Sequence, residues 1–95
     1  MAALDELLSR LTPHSTEAEQ AVLGSMLIDE RCIPEVVAAL KPDDFYLRQN
    51  REIYQTIYRM MELSASIDLV TVLEQMRQDG FYQENVTDRY VLQLM

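Results

Sequence analysis

The sequence predicts an all-α fold, a compact orthogonal bundle of about five or six short helices. Three observations predict it. Apolar residues recur at helical spacing in segment after segment, between start and stop signals of the helical kind. No stretch alternates apolar and polar residues between turn signals, as a half-buried strand would. Glycine occurs only at Gly24 and Gly80, too sparsely for a turn-rich β architecture. The chain has 95 residues, enough for one domain and one modest core.

Leu4, Leu7, Leu8 and Leu11 follow i, i+3, i+4, i+7 spacing, so residues 1–12 read as a short amphipathic helix or a docking arm. That stripe either packs on the domain or docks on a neighbouring subunit. Pro13-His14-Ser15 breaks the pattern. The central helix then runs from Thr16 to about Asp29 and is almost continuously apolar from Ala21 to Ile28. Its start has a capping-box pattern, with Thr16 accepting from the Glu19 amide and the Glu19 carboxylate reaching back. With so little solvated face it belongs at the centre of the domain. Gly24 in mid-helix costs about 1 kcal/mol against Ala, which the close approach of another helix to its bare backbone would offset.

Asp29-Glu30-Arg31 reads as a polar turn. Residues Ile33 to Leu40 form the next helix, with Pro34 in its first turn, where a missing amide costs nothing, and Ile33, Val36, Val37 and Leu40 as its buried stripe. Lys41-Pro42-Asp43-Asp44 ends it, and Phe45-Tyr46 follows as an aromatic plug. Gln49 to Leu63 is the longest helical pattern, with Ile53, Ile57, Met60 and Met61 inward and Tyr54 and Tyr58 flanking. After the polar loop Ser64-Ala65-Ser66, Asp68 caps a helix from Leu69 to about Asp79, with Leu69, Val72, Leu73 and Met76 as its face and Gly80 as its C′ residue. Thr87 or Asp88 caps a last helix through Tyr90, Val91, Leu92, Leu94 and Met95. It carries no stop signal, which suggests a cut in a longer protein.

Composition narrows the function. Acidic residues number 16 against 8 basic ones, for a net charge of −8. Non-specific DNA affinity rests on Lys and Arg neutralising phosphates, and here the bases are scattered, with only Arg48, Arg51 and Arg59 able to share part of a helix face. Protein partners fit better. Apolar content of 48% with no run near the ~20 residues of a membrane span, no signal peptide and a single cysteine point to a cytoplasmic protein.

No catalytic, cofactor or metal residue is expected. His14 and Cys32 are the only soft metal ligands, too few for the three or four groups a zinc site needs. Asp29-Glu30 and Asp43-Asp44 sit at helix junctions, where adjacent carboxylates serve as caps and solvated turns. Ser15 and Ser25 as nucleophiles lack a plausible base nearby in sequence, the only histidine, His14, sitting on a turn that reads as exposed. A P-loop needs Gly, four residues, then Gly-Lys-Ser/Thr, and neither glycine opens one, so these residues should not hydrolyse ATP. What remains as a site is a partner surface. Tyr46, Tyr54, Tyr58, Phe81 and Tyr82 are aromatics of the kind enriched in interfaces, or else gap-fillers between short helices. Met26, Met60, Met61 and Met76 share helical spacings with core residues and read as packing.

The run Pro13-His14-Ser15-Thr16-Glu17-Ala18-Glu19-Gln20-Ala21-Val22-Leu23-Gly24 resembles the opening signature of the N-terminal domain of DnaB-type replicative DNA helicases. Further matches follow in order: Asp43-Asp44-Phe45-Tyr46, Arg51-Glu52-Ile53-Tyr54, Ile67-Asp68-Leu69-Val70-Thr71-Val72 and Tyr90-Val91-Leu92. The opening run is specific, and the others are weak singly. Ala65-Ser66 and Val86-Thr87-Asp88 stand where the family often has Gly and Pro, and a Gly-Gly pair. The resemblance implies that residues 13–95 are a helical head, stopping before a helical hairpin and a RecA-like ATPase domain. It implies a parent hexamer that encircles DNA and unwinds it with ATP and magnesium, and a head that takes part in self-association and docks primase, with helicase loaders as further partners. Two other classes fit the residues: a freestanding helical adaptor or phage-type regulator resembling this head, and a helix-turn-helix DNA binder, which the acidic balance disfavours.

Overall fold

The computed structural model describes residues 15–95. The stripe from Leu4 to Leu11 and the break at Pro13-His14 lie outside them. Among the described residues the chain forms five α-helices and no strand: α1 Thr16–Ile28, α2 Ile33–Ala39, α3 Arg48–Glu62, α4 Leu69–Gln78 and α5 Thr87–Leu94, with single 3-10 turns at Glu30–Cys32 and Pro42–Asp44.

Helix α1 is central, as its apolar content requires. Val22, Leu23 and Met26 are wholly buried, and α1 packs on α3, α5 and the 3-10 turn that follows it. Its cap differs from the expected one. Ser15 is the N-cap, its hydroxyl accepting from the Ala18 amide at 3.2 Å, while Thr16 is the first helical residue. The expected Thr16/Glu19 capping box is therefore absent, and Glu19 is fully buried instead. The apolar run also overreaches at its end, for Ile28 is 64% exposed.

The glycine in α1 is explained by α5. A Cβ at position 24 would collide with the carbonyl oxygen of Leu94 and stand 3.1 Å from its carbonyl carbon. The end of α5 thus rests its main chain on the bare turn of α1, the close approach that offsets the helix cost of glycine.

The expected stops and starts of the other helices largely hold. The Asp29 carboxylate accepts from the Arg31 amide at 3.1 Å and opens the first 3-10 turn, and Asp44 accepts from the Lys41 amide at 2.7 Å to close the second. Asp68 accepts from the Thr71 amide at 2.9 Å, and the Thr71 hydroxyl accepts from the Asp68 amide at 2.9 Å, capping α4 reciprocally. Gly80 has φ +81°, with Phe81 N donating to Met76 O at 2.9 Å and Gly80 N to Arg77 O at 3.3 Å, a Schellman stop. Helix α3 ends in the same way on Ser64 at φ 56°, with Ala65 N donating to Met60 O at 3.0 Å and Ser64 N to Met61 O at 3.1 Å. At α5 the cap differs again. Val86 is the N-cap with no side-chain bond, and Thr87 is already helical, its hydroxyl accepting from Gln83 N at 2.8 Å.

Gly24→Leu should lower stability by about 1–3 kcal/mol through overpacking against the α5 main chain. In a thermal melt that corresponds to a midpoint at least about 5 °C below wild type. An unchanged midpoint would mean that α5 leaves this face of α1 at little cost.

Candidate interaction surface

Of the three buried polar side chains among the described residues, Thr56 donates within its own helix to the Glu52 carbonyl at 2.9 Å, and the other two, Glu19 and Asn50, meet. Glu19, on the inward face of α1, accepts from the Tyr46 amide at 2.7 Å on one carboxylate oxygen. Its other oxygen accepts from the Asn50 side-chain amide at 2.9 Å and, more distantly, from the Leu47 amide at 3.4 Å. Asn50, also fully buried, accepts through its carbonyl oxygen a short hydrogen bond from the Tyr90 hydroxyl of α5. Tyr90 in turn accepts from the Gln20 side chain at 3.2 Å. The chain of bonds joins α1, the segment ahead of α3, α3 itself and α5. A buried carboxylate is tolerable only when donors surround it, and here they do. The sequence did hold a signal for this: Glu19 stands three and four residues before Val22 and Leu23, on the same helical face.

The five aromatic residues proposed as a partner surface do not stay together. Tyr54 is excluded from it. It is wholly buried on α3, stacked on Phe45 with ring centroids 4.5 Å apart, and its hydroxyl donates to the Leu40 carbonyl at 2.7 Å at the end of α2. Burial, with smaller contributions from Tyr58 and Asp44, pushes its phenol above the usual tyrosine value. Tyr58 is half-buried against Tyr54, with centroids 5.9 Å apart. Tyr46 is 61% exposed, its backbone rather than its ring being the part fixed to Glu19. Phe81 and Tyr82 are half-buried after the α4 stop, and Arg77 stacks on the Tyr82 ring at 4.3 Å. These last two line a cleft of about 490 Å³ between the start of α3, the end of α4 and α5. Tyr90, which the sequence showed only as part of the last helix, lines it as well.

Gly24 is packed under Leu94 and Gly80 stops a helix, so neither belongs to a phosphate-cradling loop. Among the described residues no group of three or more His, Cys, Asp or Glu side chains could hold a metal ion. His14 lies outside the described residues. Cys32 is buried, its thiol pushed up by burial and by the nearby Asp29 charge, and Asp29 itself is held below its usual value by its hydrogen bonds with Arg31. No helix among the described residues is long and apolar enough to cross a membrane.

What distinguishes this head is the pairing of a central capped helix with residues 19, 20 and 24 turned toward the rest of the bundle. A family model for the DnaB-like helicase N-terminal domain matches residues 11–95. The chain belongs to that family. It is 36% identical over 92 residues to the replicative DNA helicase DnaB of Rhodothermus marinus, covering 97% of this chain and 10% of that protein. To the replicative DNA helicase DnaC of Bacillus subtilis (strain 168) it is 34% identical over 80 residues, covering 84% of this chain and 18% of the relative. The crystal structure of the N-terminal domain of DnaB helicase from Mycobacterium tuberculosis superposes with a TM-score of 0.79 at 30% identity, over 86% of this chain and 59% of that one. The chain therefore spans less than a fifth of either of these two curated relatives. The all-α expectation holds.

Glu19→Ala strands the Tyr46 amide and the Asn50 side-chain amide in the interior and should cost about 3 kcal/mol. Glu17→Ala, on the exposed face of the same turn, should stay within about 0.5 kcal/mol of wild type, and urea denaturation compares them directly. Tyr54 makes stability fall in alkali. The unfolded chain releases the phenol proton near its ordinary value while the fold retains it, so stability is full below about pH 10 and declines above it at up to about 1.4 kcal/mol per pH unit. Denaturation series on Tyr54→Phe should lack most of that decline.

Proposed function

We propose that this chain serves as the N-terminal assembly and docking head of a replicative DNA helicase. The observation that carries the proposal is the family match over residues 11–95, on a domain whose own residues hold no phosphate loop. The relatives bearing that match are replicative DNA helicases. By that likeness the parent protein is a hexamer that unwinds duplex DNA with ATP and magnesium, and the head contributes contact rather than catalysis. Its partners are other heads of the same ring, primase, and helicase loaders where they exist. An acidic surface supports protein contacts over direct grip on a phosphate backbone. The family match favours this function over a freestanding adaptor or a helix-turn-helix DNA binder. A replicative helicase works on chromosomal DNA, which supports a cytoplasmic location.

Isothermal titration of the chain with the primase of the same organism should give saturable binding, with Kd on the order of micromolar. ATP with magnesium should leave its thermal melt unchanged. A head that binds no primase and stays monomeric at high concentration in sedimentation would overturn the docking role. Stabilisation by nucleotide would overturn the division of labour between contact and catalysis.

A further inference from the structure

The backbone just ahead of α3 is held by a residue far away in sequence, and that anchoring sets what lies beside the entrance to the domain. The Glu19 carboxylate accepts from the Tyr46 amide at 2.7 Å and, more distantly, from the Leu47 amide at 3.4 Å. Side chains lean toward the N-terminus of their own helix, so Glu19 draws this segment back toward the first turn of α1, where the chain enters at Ser15. The main chain is fixed here, but the core does not absorb the side chains. Phe45 is wholly buried, whereas the next residue, Tyr46, is 61% exposed. Leu47 is half-buried without belonging to the side chains packed on the core. An aromatic ring on a fixed backbone has little freedom left to lose on contact, which favours docking at this corner.

We propose that the Tyr46 corner is the seat of the chain's own N-terminal stripe, Leu4, Leu7, Leu8 and Leu11, within the same molecule. The tether selects the occupant. Only Thr12, Pro13 and His14 separate Leu11 from Ser15, and four residue steps span at most about 14 Å when fully extended. Leu11 is therefore confined to the surface around the first turns of α1. A segment on so short a leash meets its own domain at an effective concentration in the millimolar range, so it outcompetes a free segment of similar affinity. Its chemistry suits the corner, since four leucines in i, i+3, i+4, i+7 register make one apolar stripe that gains by leaving water. The groove between α1 and α5, also within reach, suits leucines less well, because Gln20, Gln93 and Tyr90 line it beside Ala21 and Leu94. With the stripe seated, Tyr46 is withheld from other proteins, and a partner that uses this ring has to displace the arm first. The inference rests on the corner and the tether and does not require the helicase function.

The test is nuclear magnetic resonance on the full, isotopically labelled chain. Nuclear Overhauser contacts are expected between the methyls of the four leucines and the Tyr46 ring, and they should persist on dilution. Leu7→Asp combined with Leu8→Asp should remove them and shift the Tyr46 and Leu47 amides. Tyr46→Ala keeps the amide that Glu19 holds, and it should speed hydrogen exchange of the Leu7 to Leu11 amides by about tenfold. Tyr82→Ala, at an aromatic following the α4 stop, should leave that exchange unchanged. The proposal is overturned if the leucine methyls contact Ala21 and Leu94 or no residue of the head. It is equally overturned if an isotope-filtered mixture of labelled and unlabelled chains places the contacts between molecules. The same holds if the double variant leaves the Tyr46 and Leu47 amides in place, if Tyr46→Ala exchanges like wild type, or if Tyr82→Ala speeds exchange as much as Tyr46→Ala does.

Discussion

The Glu19 carboxylate is the interaction on which the head depends. Taking a carboxylate out of water is costly unless hydrogen bonds replace the lost hydration, and Glu19 receives them from three donors on two other segments. Two of the donors are backbone amides at Tyr46 and Leu47, immediately ahead of α3. That is where a helix dipole favours negative charge, and α3 begins on Leu47 with no side-chain cap of its own. One side chain on α1 therefore takes the N-cap amide of α3, which in a capping box the helix's own N3 side chain would take. Through Asn50 the same carboxylate orients Tyr90, so α5 takes its place by reference to α1 and α3 together. Polar networks of this kind specify a unique arrangement only when every member is satisfied, and along this path each is.

Local signals made much of the fold legible. Pro34, Asp68 and Gly80 act within a few residues of their own position, and the structure uses each as its chemistry suggests. The errors fall where a residue's partner is distant in sequence or where two local options compete. Glu19 satisfied a capping pattern with Thr16, yet the partners that hold it lie 27 to 31 residues away. Tyr54 stayed open between interface aromatic and gap-filler because the Leu40 carbonyl that accepts its hydrogen bond is 14 residues back and visible only after folding. Ser64 hid a helix stop, since a non-glycine residue with positive φ has no signature in composition. Of the candidate surface, Phe81 and Tyr82 were legible as aromatics following a stop. Their cleft was not, because Arg48, Tyr90 and Val86 reach it from other elements.

The residues that carry the family resemblance are mostly not surface residues. Within the opening run, Glu19, Gln20 and Gly24 bind the bundle to itself, and Val22 and Leu23 fill its core. Such residues report kinship through fold. The cleft beside α3, α4 and α5 mixes the two kinds of position: Glu52, Ile53 and Tyr90 belong to those motifs, while the turn after α4, the loop before α5 and the first turn of α3 lie between them.

The seat of α5 on Gly24 has an asymmetry of its own. The atoms in contact are a carbonyl of position 94 and the bare Cα of position 24, so the side chain at 94 is not a party to it. The Leu94 side chain packs against the core in its own right, whereas a single methyl at 24 would tilt or lift α5 bodily. Position 24 is therefore the point at this corner where a change of one carbon becomes a change of geometry.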